Sequence, residues 1–145
     1  MSFDKTRERI STLVQAALTA EGITTPLQFP NVRFQQPEDG PWMRLNINMA
    51  STNPIAIGDA SQRRRRTPAV VTIQFFEVEN EGTKAAQQAA DALSRQLDYA
   101  NDTTVAGGER LTIYFRTIGI TQVGSLNGFD QHNIQITLQI DMQAA

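Results

Sequence analysis

His132 is the single histidine of the chain. With Asp130 two positions earlier and Ser125 further back, it forms the one group offering a nucleophile, a base and an acid close in sequence. Such a triad needs the acid to fix the base and the serine to stand on a rigid turn. Ser125 lies in Gly124-Ser125-Leu126-Asn127-Gly128, which lacks the flanking pattern of a nucleophile elbow. The segment therefore reads as a loop leading into the last strand, and no catalytic residue is assigned. One histidine with scattered carboxylates falls short of a zinc ligand set, and no calcium-loop spacing occurs, so no metal is assigned. Gly107-Gly108-Glu109 lacks the lysine and hydroxyl residue of a phosphate-binding loop and reads as a turn, leaving no cofactor site. Glu38-Asp39 sits between Pro37 and Gly40-Pro41, a solvated turn rather than an acid–base pair.

The densest charge is Arg63-Arg64-Arg65-Arg66, four of the 13 basic residues in one run. It could be a solvated loop, a docking element for acidic groups of a neighbouring subunit, or a phosphate-binding element of a nucleic-acid module. No aromatic residue is interleaved with it, and the chain as a whole is acidic, with 15 acids and a net charge of -2. A general cationic field for nucleic acid is therefore absent. There is no cysteine, which excludes disulfides and thiolate chemistry and fits a reducing compartment. No apolar run approaches the ~20 residues that span a bilayer, and the first residues carry no basic-then-apolar leader. At 145 residues, 40% of them hydrophobic, residues 1–145 are expected to form a single domain.

The positioning elements follow from periodicity. Ile10, Leu13, Val14, Ala17 and Leu18 give the apolar face of a helix from Asp4 to Ala20, with Ser2 as cap and Gly22 as stop. Thr24 to Pro30 reads as a linker, and Val32-Arg33-Phe34 as a weak strand. Met43, Leu45, Ile47 and Met49 alternate within a strand from Trp42 to Met49, and Val71, Ile73 and Phe75 within one from about Ala69 to Val78. The connection between these two strands, Ala50 to Pro68, is too long for a hairpin and carries the arginine run. A second helix, Gly82 to Leu97, has Thr83 as cap and a small face of Ala86, Ala89, Ala90, Leu93 and Leu97. Arg110 to Arg116 alternates, Thr117 to Val123 reads as a further extended piece, and Ile134, Ile136, Leu138, Ile140 and Met142 mark the closing strand. The order gives an α+β fold: one mostly antiparallel sheet with two helices packed on it and a long loop between its second and third strands.

Opposite the apolar rows stand Asn46, Asn48, Thr72, Gln74, Asn133, Gln135, Thr137 and Gln139, a sheet face of amides and threonines without lysine or glutamate. Such groups are buried against a partner at little ionic desolvation, although free surfaces carry them too. Asn133, Gln135, Thr137 and Gln139, with Arg63, Arg64, Arg65 and Arg66, are the candidate interface residues.

The whole pattern resembles the tail terminator-like proteins of long-tailed bacteriophages. The resemblance rests on the N-terminal helix, the strand around Trp42-Met43-Arg44-Leu45 and the arginine-bearing loop. It continues through the Val70 to Phe76 strand, the Gly82 to Leu97 helix, and Gly128-Phe129-Asp130-Gln131-His132-Asn133 leading into the last strand. Asp130 stands where the family pattern has a second aromatic. The resemblance implies a non-catalytic virion protein, assembled in the host cytoplasm, that forms a homo-oligomeric ring on the completed tail tube, commonly of about six copies. The ring stops tube polymerisation and meets a head-completion or connector protein, with DNA only as cargo passing through and no membrane involved. A tube subunit or a connector of the same virion shares this architecture, and the nucleic-acid module remains the other reading.

Overall fold

The protein is described here from a computed structural model covering residues 3–30, 33, 35, 37, 40–54, 64–78, 84–106, 108–126 and 128–144. Ser2, Val32, Phe34, Glu38, Asp39, Arg63, Gly82, Thr83 and Gly107 lie outside the described residues. Helix α1 runs over Phe3–Ala20 and helix α2 over Lys84–Leu97. The strands are β1 (Leu27–Gln28), β2 (Trp42–Met49), β3 (Asn53–Pro54), β4 (Arg65–Val78), β5 (Asn101–Ala106), β6 (Glu109–Leu126) and β7 (Phe129–Ala144).

They form one seven-stranded sheet in the order β1-β2-β4-β7-β6-β5, with β3 beside the start of β4. Every pair is antiparallel except β1 with β2. The α+β class and the two helices on a mostly antiparallel sheet agree with the sequence reading. Its boundaries shift: the linker holds β1, and Arg33 is not in a strand. The arginine-bearing connection ends at Arg65 rather than Pro68, because β4 starts early against β3 and β7. The two extended pieces after Arg110 are one strand, bulged between Phe115 and Ile118 and between Gln122 and Gly124.

The core lies between the helices and one sheet face. Ile134, Ile136, Leu138, Ile140 and Met142 of β7 join Val71, Ile73 and Phe75 of β4 and Met43, Leu45 and Ile47 of β2 in a single buried cluster. Helix α1 contributes Ile10, Val14 and Leu18, and α2 contributes Ala86, Ala89, Leu93 and Leu97. α2 packs over β6 and β4 and against α1, and its alanines allow that approach. Helix α1 ends in a Schellman arrangement: Gly22 at φ 73° donates to Thr19 O at 3.0 Å, and Ile23 donates to Leu18 O at 3.0 Å. A smaller buried pair, Trp42 stacked on Phe76 with ring centres 4.2 Å apart, occupies the opposite face beneath the Arg44 guanidinium.

Two arginines of α1 tie it to strands on either side of the sheet. Arg7 Nη1 donates to Ile47 O on β2 at 2.9 Å, and Arg9 donates through Nε and Nη2 to Asp102 on β5 at 2.9 and 2.7 Å. At the far end of α1, Arg95 Nε of α2 donates to Glu21 Oε1 at 2.6 Å. Glu77, buried at the end of β4, accepts the Ala86 N–H at 2.5 Å and so places a carboxylate at the N-terminal turn of α2, where the helix dipole favours it.

Filling the alanine seam should be harmful. Ala89→Leu is expected to cost ~1–3 kcal/mol by overpacking α2 against the sheet, read as a lowered denaturant midpoint at unchanged slope. The Asp102 carboxyl lies below the usual carboxylate range, chiefly because Arg9 hydrogen-bonds to it, while partial burial opposes the shift. A carboxyl lowered in the folded state adds stability above its unfolded value, near pH ~4, and loses it as the pH falls through the folded value. The stability gap between wild type and Asp102→Asn should therefore shrink on acidification below pH ~4; a gap independent of pH would contradict the pair's role.

Candidate interface and the residues that build it

The alternation of β2, β4 and β7 collects the polar residues predicted from the sequence onto one face. In register across the strands lie Asn48–Val70–Thr137 and Asn46–Thr72–Gln135, followed by Gln74–Asn133, with Gln139 opposite Pro68. Gln135 and Thr137 are exposed, and Asn133 and Gln139 are half-buried. Neighbours on the face bond to one another: Thr117 Oγ1 and Thr137 Oγ1 are 2.6 Å apart, and Gln131 Nε2 donates to Asn133 Oδ1 at 3.1 Å. This surface offers many donors and acceptors and almost no formal charge.

An ion pair sits at one end of that face, and Arg44 stands at the other. Arg66 and Asp141 are directly opposite on β4 and β7, and Arg66 donates to both carboxylate oxygens, at 2.9 and 3.1 Å. Arg64 Nη2 approaches the same carboxylate at 3.9 Å. Asp141 is only 4% exposed, and this bidentate contact meets its carboxylate where water scarcely reaches it. The arginine run is thus not a uniform loop: Arg66 is committed within the chain, while Arg64 and Arg65 begin the strand exposed to solvent. Nothing local signals this, because Asp141 reads as one more outward polar position until the register brings Arg66 opposite it.

The imagined triad does not assemble. His132 is not a loop residue: it lies within β7, 3% exposed, between Phe75 and Gln122, and its Nε2 has no hydrogen-bond partner. Ser125 Oγ donates directly to Asp130 Oδ1 at 2.5 Å across the β6–β7 hairpin, which leaves no place for an imidazole between them. Among the described residues no three of His, Asp or Glu stand together as a metal site, and no helix is long and apolar enough to cross a membrane. A cleft of about 260 Å³ between α1 and the start of β6 is lined by Arg9, Thr12, Thr104, Leu111 and Met142, and its Arg9 is already held by Asp102.

Removing the Arg66 side chain should strand a buried carboxylate. Arg66→Ser is expected to lower the melting temperature, whereas Arg65→Ser leaves it unchanged. Equal melting temperatures for the two variants would show that the Asp141 pair carries no weight.

No curated protein sequence matches the chain. One solved structure superposes over 99% of this chain and 99% of its own length, with a TM-score of 0.56 at 24% identity. A chain from the virion of a native gene transfer agent particle covers 90% of this chain and 92% of its own, with a TM-score of 0.52 at 18% identity. At these identities the two show the fold. The sequence pattern of the phage tail terminator protein family matches residues 6–138, the greater part of the 145 residues, and the chain belongs to that family as a structural protein of the virion tail.

Proposed function

We propose that the chain is the subunit of a homo-oligomeric ring that sits on the end of the tail tube, ends tube growth and joins the tail to a head-side connector protein. The observation that carries this reading is the family match over residues 6–138, in a domain that turns a charge-poor sheet face to solvent. A closed ring ends growth without catalysis, because its subunits satisfy one another and present the next layer with a different surface. The reading assigns no catalytic residue and no cofactor, and DNA passes through the ring only as cargo.

Among the described residues of the arginine run, Arg64 and Arg65 are exposed and so are the candidates for docking, with Arg64 standing 3.9 Å from the carboxylate that holds Arg66. Two guanidinium groups at the start of one strand repel each other until acids or carbonyls of a neighbour receive them. A nucleic-acid role is disfavoured by the same geometry, which withdraws one charge from a run that already lacks aromatic partners.

The test is a mixture of purified chain and assembled tail tubes, followed by native mass measurement and electron microscopy of the tube ends. A ring of about six copies, bound at one end of each tube, is expected. Arg64→Ser with Arg65→Ser should leave the monomer folded, with the Arg66–Asp141 pair intact, and weaken tube-end binding, with added salt weakening the wild type in the same direction. Free monomer that never binds tubes would refute the function. Binding by the double variant at wild-type strength would refute the role of the two arginines alone.

A further inference from the structure

Besides the outer edges of β1 and β5, parts of β2 and β6 have no neighbouring strand on one side among the described residues, and these two margins lie at the same level. β1 pairs with β2 only at Met43 and Arg44, so Leu45–Met49 has no strand on that side. β5 pairs with β6 only over Glu109–Tyr114, with one further bond from Phe115 N–H to Ala100 O, so β6 beyond Phe115 has none either. Ile47 is linked through Val71 and Ile136 to Ile118, and Leu45 through Ile73 and Ile134 to Ile120.

The hydrogen-bonding direction follows from alternation. Ala50 N–H donates to Pro68 O and Met43 N–H to Pro26 O, so the odd-numbered residues of β2 aim their N–H and C=O groups away from β4. Carried across β4 and β7, and through the bulge after Phe115, the same alternation aims Ile118 and Ile120 away from β7. Such a row of outward N–H and C=O groups is a template on which an extended backbone can pair.

Charge and proline, two of the usual devices against edge pairing, are missing from both margins. Leu45–Met49 and Thr117–Ser125 contain no charged residue and no proline, and the two bulges of β6 bracket a regular stretch between them. On the core-side face Ile120 is 39% exposed, and Val123 in the second bulge is 55% exposed. The Ile47 carbonyl accepts from Arg7, and its second lone pair leaves that contact compatible with a strand alongside. The β5 margin differs, since its Asp102 is held by Arg9.

We infer that the β6 margin from Ile118 to Gln122 takes the β2 margin, Leu45 to Met49, of a second copy of this chain as an added strand. Three antiparallel steps separate β2 from β6, so a copy related by rotation about an axis along the strands presents its β2 antiparallel to β6. The joint is heterologous, which generates a ring when the rotation closes. Neither stretch carries a charged residue of its own, and the Arg7 guanidinium beside the β2 margin is already bonded to the Ile47 carbonyl. The occupant rests on the ring reading proposed above.

The absence of cysteine makes the test direct. Asn48→Cys with Thr117→Cys places two exposed thiols at one level on the polar face, and Asn48→Cys with Thr121→Cys covers a staggered register. Within one chain three strand spacings, about 14 Å, forbid the bond, so oxidation of the assembled protein should give a ladder of covalent multiples in at least one pair. Hydrogen exchange on the wild type should show slower exchange at Ile118, Ile120, Leu45 and Ile47 on assembly. A ring of the expected mass with neither cross-links nor slowed exchange at these amides would overturn this inference and leave the ring reading standing. Cross-links in an open, growing polymer would support the margin pairing and overturn the ring. Failure to associate even on tube ends would remove both.

Discussion

Strand β7 is paired along its length on both sides, to β4 from Phe129 to Met142 and to β6 from Phe129 to Ala144, so its register fixes the sheet. Because side chains alternate with period two, that register also assigns every neighbouring residue to a face. A one-residue slip of β7 would turn Ile134, Ile136, Leu138 and Ile140 into water and Asn133, Gln135, Thr137 and Gln139 into the core. The helices have no other apolar surface to cover. The same register brings Asp141 opposite Arg66 and Phe75 opposite His132, so the polar contacts depend on it as well.

Two acids would be costly where they lie, and each is met by a specific donor. Glu77 receives the Ala86 N–H at the start of α2, and Asp141 receives the Arg66 guanidinium. These contacts join elements distant in sequence: β4 to α2, and β4 to β7. The α1 arginines act similarly, reaching β2 and β5, strands that β4, β7 and β6 separate in the sheet. The result is a sheet closed over by helices on one face, with a largely polar face opposite.

Elements whose pattern is local were legible in the sequence. β2 and the two helices carry apolar spacing that admits one face assignment, and β7 alternates from Asn133 to Met142. What escaped depends on distant partners. β5, Asn101–Ala106, has no alternation of its own and is a strand because β6 supplies a ladder. Arg65 and Arg66 look like loop residues, yet β3 and β7 draw them into β4. His132 looked like part of a turn because polar residues surround it, whereas the hairpin continues past it to Phe129. The polar face was visible residue by residue, but the loss of Arg66 from the arginine run was not, since it depends on Asp141, 75 positions away.

The family match makes the chain a structural protein of the virion tail, and its proposed task there is to end the tube. The most direct measurement is electron microscopy of particles assembled without it, scored for tail length and head attachment. The account predicts tubes of uncontrolled length that fail to join heads, restored by adding the purified chain. Tails of normal length already joined to heads in its absence would contradict it.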